Sequence, residues 1–415
     1  MSTSSISISF LCIEPHAVAS RTLAGWFEEE TGIRVEVLLA PYADITARAT
    51  QDVTSGAGQC DVVEYWYPIL GSLAENGVLV DIRSWWEANA GAFQADDLMA
   101  VFRDNFCLVG SQRYGVPYDG DMHLLFYNTA LLDKHKLEPP ETWDEYLEVS
   151  RTITEAESGS GVYGCGIMAA KIPLILIGTY LNRLASFGGD FFDAEGMPAI
   201  NTPEAVAALE HLVEELPYAV PEPTAVGFDE MLGPWLGGRV GMAEFWADLG
   251  KMTDNPEQSA ISQGWGVVPL PKGPGPEGRL AAPLNAGWSL GVPTTARQRE
   301  VALEFLKFSL GPEINLRICT IAGGLDPIRW TTYDAPGYRE YATGELVDAA
   351  RAAIQSAAVA WPTHARWPEL QGLLNENLSL ALPKAKPPKQ ALDHTQAAWQ
   401  RTLQPEAASG SRREP

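Results

Sequence analysis

Residues 4–39 read SSISISFLCIEPHAVASRTLAGWFEEETGIRVEVLL, and this stretch decides the fold. Apolar side chains alternate with serine over Ser4–Ile13, a pattern that predicts a strand. Residues 17–31 carry their large apolar side chains at helical spacing and stop at Gly32, and residues 33–39 form a second apolar run. Because a strand, a helix and a strand in this order form a βαβ unit, we predict a parallel sheet.

Glycine and proline interrupt the later strand signals at three places. Residues 114–128 (YGVPYDGDMHLLFYN) run through one proline and two glycines, and residues 265–278 and 323–329 are similar. Proline is poorly tolerated inside a central strand, so we interpret these places as crossings between two α/β lobes. We predict that the lobes are discontinuous, and we assign residues 1–117 and 270–324 to the first, 118–269 and 325–403 to the second, and 404–415 to a disordered tail.

The charge balance restricts the partners. The chain has 415 residues and a net charge of −24, from 29 basic and 53 acidic residues. Such an excess repels phosphate backbones and anionic lipid headgroups, which argues against nucleic acid or a membrane surface as a partner. An uncharged or a cationic ligand is easier to reconcile with this balance. Separately, we expect the chain to act as a monomer.

Neither the cysteines nor the histidines form a metal-binding pattern. The five cysteines are scattered and include no CxxC pair, and the six histidines include no HxH or HxxxH pair. We therefore predict no metal site and no cofactor. Scattered cysteines are mostly small buried apolar residues, although one disulfide stays open as an alternative.

The beginning of the chain does not resemble a secretion signal. It has no basic segment followed by a continuous apolar one, and no stretch of the chain reaches the roughly 18 apolar residues of a membrane span. We expect a periplasmic or otherwise extracytoplasmic protein whose signal peptide is not present in this chain.

One serine motif raises the possibility of an enzyme. Residues 287–291 (GWSLG) match the nucleophile elbow GxSxG around Ser289, and aspartates and histidines follow in the chain order of a hydrolase triad. An elbow needs a sharp turn into a helix, whereas Val292 and Pro293 follow here. We therefore interpret Ser289 as a strand residue and keep a hydrolase as an alternative.

Two aspartates flank Gly120 at the first crossing. Asp119 and Asp121 fit the acid and base of a glycosidase, and they equally fit acceptors for sugar hydroxyl groups. A polar turn without a ligand is a third interpretation of the same residues.

Tryptophan is unusually frequent. There are 13 tryptophans, as many as tyrosines and as many as phenylalanines. We assign Trp26 and Trp143 to packing, whereas several others lie near predicted loops. These are Trp66, Trp246, Trp288, Trp330, Trp361 and Trp367. Indole offers a flat apolar face and one N–H donor, which suits the C–H faces and polar edges of a carbohydrate.

The order of short segments along the chain resembles a known family. The segments are 26–37 (WFEEETGIRVEV), 60–66 (CDVVEYW), 73–82 (LAENGVLVDI), 114–119 (YGVPYD), 125–128 (LFYN), 140–146 (PETWDEY), 187–190 (FGGD), 238–242 (GRVGM), 286–293 (AGWSLGVP) and 387–393 (PPKQALD). In order and spacing they resemble the extracellular solute-binding proteins of carbohydrate ABC importers, the group that includes maltose-binding protein. The resemblance covers nearly the whole chain.

This resemblance implies the α/β, two-lobed periplasmic-binding-protein fold, with hinge crossovers and the ligand in the cleft between the lobes. It places an acidic ligand contact at Asp121, just after the first crossing, and further contacts on loops that face the cleft. Together with the Asp and Trp pattern, it gives twelve candidate ligand-binding residues. They are Glu14, His16, Glu64, Trp66, Asp119, Asp121, Trp246, Asp248, Trp288, Arg329, Trp330 and Trp367.

The function implied by the resemblance is capture without catalysis. A carbohydrate, mono- or oligosaccharide, or a polyol is expected to bind between the lobes and pass to the permease subunits of an ABC transporter. Two alternatives remain. One is a hydrolase that uses Ser289 or the Asp119/Asp121 pair, and the other is a binding protein for a phosphorylated polyol, with Arg329 as the cation.

Overall fold

The computed structural model describes residues 6–274, 279, 287–356 and 361–404. Its strands are Ser7–Ile13 (β1), Arg34–Ala40 (β2), Val62–Trp66 (β3), Leu108–Val109 (β4), Gln112–Arg113 (β5), Val116–Asp119 (β6), His123–Asn128 (β7), Tyr163–Gly166 (β8), Val240–Trp246 (β9), Trp265–Val268 (β10) and Trp288–Gly291 (β11).

Its α-helices are Ala17–Thr31 (α1), Ile45–Ser55 (α2), Leu70–Glu75 (α3), Arg83–Asn89 (α4), Thr129–His135 (α5), Trp143–Ala156 (α6), Pro173–Ser186 (α7), Pro203–Glu215 (α8), Phe228–Leu236 (α9), Asp248–Thr253 (α10), Arg299–Ser309 (α11), Pro312–Cys319 (α12), Trp330–Asp334 (α13), Pro336–Tyr341 (α14), Gly344–Ser356 (α15), Trp367–Ala381 (α16) and Pro388–Leu403 (α17). None of the described helices is both long and apolar enough to cross a membrane.

The first sheet has the strand order β2-β1-β3-β11-β6. β1 pairs in parallel with β2 and with β3, which confirms the predicted βαβ unit, and β11 runs antiparallel to β3. Pro117 lies in β6 at the edge of this sheet. Proline has no backbone N–H to donate, and an edge strand tolerates this because one of its sides has no neighbouring strand.

The second sheet has the order β10-β7-β9-β8. β6 and β7 are consecutive in the chain but belong to different sheets, so the chain crosses between the lobes at Gly120, as predicted. The Gly120 amide donates to the Asp326 carbonyl (3.2 Å), and a Cβ at Gly120 would overlap the Pro327 carbonyl. The first and third crossings therefore lie side by side.

Residues 275–278 at the end of the second predicted crossing lie outside the described residues, and so do residues 280–286, which follow it. The same holds for Ser4 and Ser5 of the predicted first strand and for residues 405–415 of the predicted tail. The lobe boundaries at 117/118, 269/270 and 324/325 stay a prediction.

Local signals and side-chain chemistry account for the elements. A capping box stands at the start of α6, since the Glu145 amide donates to Thr142 Oγ1 and the Glu145 carboxylate accepts from the Thr142 amide. Trp143 is buried and donates from Nε1 to Ser186 Oγ (2.6 Å), as the packing prediction required. All five cysteines are buried as free thiols, so the alternative of a disulfide is wrong.

Candidate functional site

A cavity of about 610 Å³ lies where the two sheets meet. The last residue of β1, Ile13, and the last residue of β6, Asp119, line it from the first sheet, and the last residue of β9, Trp246, lines it from the second. Trp288 adds its side chain from the start of β11, which runs antiparallel to β3 and so begins at the same edge. In open α/β sheets this carboxyl edge is where ligands bind.

His16 forms one wall of the cavity. It ends a short 3₁₀ turn, Glu14–His16, that follows β1 directly. Its Nδ1 lies 2.5 Å from Glu64 Oε1, and its Nε2 lies 3.7 Å from Asp119 Oδ2. Burial opposes a charge on the ring, but the negative charges of Glu64 and Asp119 outweigh it and raise the His16 pKa to about 9. The imidazole is therefore a cation held between two carboxylates.

Glu64 does not line the cavity, but it fixes this wall. Its side chain on β3 is completely buried, and its second oxygen accepts from the Ile13 amide (3.0 Å). One carboxylate thus joins the end of β1 to the imidazole, and Glu64 is a positioning residue.

A second ion pair crosses the cavity floor. Lys251 on α10 donates from Nζ to Asp326 Oδ1 (2.9 Å), and the Asp326 amide donates to Asp119 Oδ1 (2.8 Å). Burial opposes the Lys251 charge, but Asp326 outweighs it and raises the pKa of Lys251 above its usual range. These contacts tie α10 to both neighbouring crossings.

Two aspartates lining the cavity stand apart from these pairs. Asp121 Oδ1 accepts from the adjacent Met122 amide (2.8 Å), and the buried Asp248 Oδ1 has no hydrogen-bond partner among the described residues. Burial, and then the charge of Asp326, raise the pKa of Asp248 to about 7. Burial, and then Asp119, raise the pKa of Asp121 well above its ordinary value. Neither the Asp121 nor the Asp248 carboxylate is paired with a cation among the described residues.

Aromatic side chains supply the apolar surface. Trp246, with 4 % of its surface exposed, packs against the rings of His123 (4.5 Å between centroids) and Phe228 (5.7 Å). Its Nε1 is buried and has no partner among the described residues. Trp288 lies edge-on to His16 at 6.0 Å, and Tyr42 follows β2 on the same side.

The structure brings half of the predicted binding residues to the cavity. These six are His16, Asp119, Asp121, Trp246, Asp248 and Trp288. Their contact with a ligand stays a prediction.

The other six lie outside the cavity lining. Glu14 is exposed, and Glu64 is behind His16. Trp66 on β3 is buried against Trp361, with 4.7 Å between the centroids. The structure does not bring these three side chains to the cavity lining, and their predicted contact with a ligand stays a prediction.

Arg329 was predicted as the cation of the alternative phosphate site. Its guanidinium is completely buried elsewhere, donating to Asp97 Oδ2 (2.9 Å) and to the Phe93 carbonyl (2.9 Å). Trp330 packs on Tyr333, and Trp367 is a core residue beside Phe191. Each is occupied by packing or pairing within the protein, so none faces the cavity.

Several cavity residues were missed from the sequence. They are Tyr42, Leu174, Phe228, Asp229, Lys251, Asn255, Gln258 and Tyr341. Lys251 could have been predicted from the sequence, because it follows the predicted binding residue Asp248 by three positions. Residues spaced i,i+3 share a helix face. The others depend on how loops meet in space.

The enzyme alternative lacks its geometry. Ser289 lies inside the buried strand β11, and its Oγ donates to the Phe106 carbonyl (3.3 Å) and contacts Cys107 Sγ (3.6 Å). No sharp turn into a helix follows it. One oxygen of Asp119 accepts from the Asp326 amide, and the other faces His16. Because both oxygens are engaged within the protein, Asp119 links the two crossings and does not fit the acid or base of a glycosidase.

Comparisons with known proteins agree with this geometry. A family model described as "Bacterial extracellular solute-binding protein" matches residues 16–315. A relative named a probable amino-acid ABC transporter periplasmic-binding protein, from Sinorhizobium fredii, is 26% identical over 389 residues, 91% of this chain and 84% of the relative. An erythritol/L-threitol-binding protein from Mycolicibacterium smegmatis is 22% identical over 340 residues, 77% of this chain and 69% of the relative.

Solved structures share the fold. A solute-binding protein from Agrobacterium radiobacter in complex with ribitol superposes with a TM-score of 0.86 at 20% identity, covering 96% of this chain and 99% of that one. A maltose-bound protein of T. maritima gives a TM-score of 0.86 at 23% identity, covering 96% and 100%. The predicted two-lobed periplasmic-binding-protein fold is thereby confirmed.

Proposed function

We propose that this chain, which belongs to the family of bacterial extracellular solute-binding proteins, captures a carbohydrate or a polyol between its lobes for an ABC importer. The observation that carries the proposal is the cavity itself, because the first sheet contributes Trp288 and Asp119 to it and the second sheet contributes Trp246. Its volume of about 610 Å³ falls within the roughly 300–1,000 Å³ of small-molecule sites.

The lining suits a hydroxyl-rich ligand. Trp246 and Trp288 offer flat apolar surface for C–H faces, and Asp121 and Asp248 offer acceptors for hydroxyl donors. The unpartnered Trp246 Nε1 supplies a donor for a ligand oxygen. Relatives named for erythritol and threitol, and for arabinooligosaccharides, support the same ligand class.

Capture proceeds by closure of the lobes about the crossings. The lobes of this proposal are residues 1–117 with 270–324, and 118–269 with 325–403. A ligand that touches both His16 on one side and Trp246 on the other stabilises the closed form, because it binds the open form through one face alone. No chemical step is needed. The closed form then docks on membrane permease subunits from the extracytoplasmic side.

A thermal-shift panel tests this proposal. Binding to the folded state alone raises the midpoint of unfolding, by about 2.7 kcal/mol of stability at a hundredfold excess over Kd. At least one monosaccharide, oligosaccharide or polyol should raise the midpoint, with a change in tryptophan fluorescence. A panel of these solutes that moves neither signal would contradict the proposal.

A further inference from the structure

The charged side chains around the cavity do not balance. Its acidic lining residues are Asp119, Asp121, Asp229, Asp248 and Asp326. Its basic lining residues are His16 and Lys251, and the buried carboxylate of Glu64 stands behind His16. The described surroundings of the cavity therefore carry six carboxylates and two cations.

Both cations are already engaged. His16 lies between Glu64 (2.5 Å) and Asp119 (3.7 Å), and Lys251 lies 2.9 Å from Asp326. These contacts hold both cations, and the attraction of Lys251 and His16 for Asp248 does not offset burial and the charge of Asp326, which raise its pKa. Asp229 is exposed at the rim, where water screens it.

Asp121 and Asp248 are left over. Neither forms an ion pair with a described residue, and each feels the negative charges of Asp119 and Asp326. Asp121 accepts from its neighbour's amide alone among the described groups, and Asp248 Oδ1 is buried without a partner. An uncompensated buried carboxylate is costly, so a group that brings positive charge to this place is favoured.

The surroundings of Asp248 fit a cation with hydroxyl groups nearby. Trp246 precedes it by two residues, and Trp288 and Tyr42 also line the cavity with aromatic rings, a residue type that attracts cations. Trp246 also has its Nε1 buried and unpartnered, which calls for a ligand oxygen close to the positive group. Charge and hydrogen bonding thus point to one ligand that carries both features.

We infer that the ligand is an amine-bearing sugar or polyol, a hydroxyl-rich solute with one ammonium group that pairs with Asp121 and Asp248. This inference rests on the proposed function, because it specifies what the same cavity takes. An ammonium group has three N–H donors, enough for both carboxylates, whereas a hydroxyl has one donor and no charge. The ammonium also brings a positive charge that attracts both carboxylates, which a hydroxyl donor lacks.

Matched ligand series test the inference by calorimetric titration of the full chain. Each series carries a hydroxyl, an amine or an acetamide at one carbon, as in glucose, glucosamine and N-acetylglucosamine, the galactose equivalents, and glucitol, glucamine and N-acetylglucamine. In at least one series the amine should bind about tenfold tighter than both neutral members. If a neutral member binds as tightly as the amine in every series that binds, the inference fails and the proposed function stands. If no sugar or polyol binds, both fail.

Two isosteric variants localise the effect. Asp121→Asn and Asp248→Asn should each lower the preference for the amine over the neutral member of the same series about tenfold. Asp133→Asn, on the exposed side of α5, makes the same change in net charge and should leave the preference unchanged. Folded Asn variants that keep the full amine preference would overturn the inference. If the Asn variants do not fold, the ligand series measured on the wild-type chain still tests the inference.

Discussion

The Asp326 backbone amide donates to Asp119 Oδ1 at 2.8 Å, and this hydrogen bond joins two crossings that are 207 residues apart in sequence. The same Asp119 carboxylate faces His16, and the same Asp326 side chain accepts from Lys251. The joint between the lobes and the wall of the ligand cavity therefore share their residues. We therefore expect the proposed closure of the lobes to be coupled to ligand binding through this shared set of contacts.

Removing the acceptor at this joint should destabilise the fold. Asp119→Ala leaves the buried Asp326 amide without its partner, and we expect a loss of about 1–3 kcal/mol in the free energy of unfolding. Asp119→Asn keeps an acceptor oxygen and should lose less. Urea unfolding at pH 7 measures both, and equal losses would show that the hydrogen bond contributes nothing.

Protonation of His16 should make stability depend on pH. Its pKa is about 9 in the folded chain, against about 6.5 when unfolded. The folded state therefore binds the proton more tightly, and the stabilisation, about 1–3 kcal/mol, is complete below pH ~6.5 and lost as pH rises through 9. The difference in unfolding free energy between the wild type and His16→Gln should shrink from pH 6 to pH 10. A difference that does not change with pH would contradict this assignment.

Trp246 should contribute directly to affinity. Trp246→Phe removes the Nε1 donor and part of the flat surface, so the Kd for the best ligand should rise about 2- to 10-fold. Trp330→Phe is the matched control, because Trp330 packs on Tyr333 away from the cavity. Calorimetric titration gives both Kd values, and equal Kd values for the two variants would remove Trp246 from the site.

The pH dependence of amine binding follows from Asp121 and Asp248. Burial first, then neighbouring carboxylates, raise both pKa values, that of Asp248 to about 7. A proton and an ammonium group therefore compete for the same oxygens, while His16 and Lys251 stay protonated over this range. Affinity for glucamine, whose alkylammonium group stays charged over this range, should rise from pH 5.5 to pH 8, and affinity for glucitol should not. Titrations at four pH values check this, and parallel curves would refute it.

A buried ionic cluster in the second lobe should dominate its stability. Arg183 on α7 is completely buried and pairs with Glu215 and with Glu244. Arg183→Met leaves Glu244 without its cation and leaves Glu215, among the described residues, with His211 alone, so we expect a loss of about 3–5 kcal/mol. Lys134→Met removes an ion pair whose lysine is mostly exposed and should cost about 0–1 kcal/mol. Similar losses in urea unfolding would contradict the role of the cluster.

The fold was predictable because its signals are local. The βαβ unit around Trp26, the Thr142 cap and the Gly120 crossing each depend on a few neighbouring residues. The site was predictable only in part. Arg329 pairs with Asp97, 232 residues away, and Trp66 packs on Trp361. Because these partners are distant in sequence, no neighbouring residue indicates that either side chain points into the protein. Side-chain direction at a cleft depends on such distant partners.

Native mass spectrometry with a competing mixture tests the central claim most directly. The full chain is incubated with sugars, polyols, amino sugars, sugar phosphates and amino acids at equal concentrations, and the mass of the bound solute is read from the complex. We predict one hydroxyl-rich, non-phosphorylated solute per chain, and less of it on Trp246→Phe. A sugar phosphate or an amino acid as the retained solute, or the free chain alone, would contradict capture of a carbohydrate or polyol in this cavity.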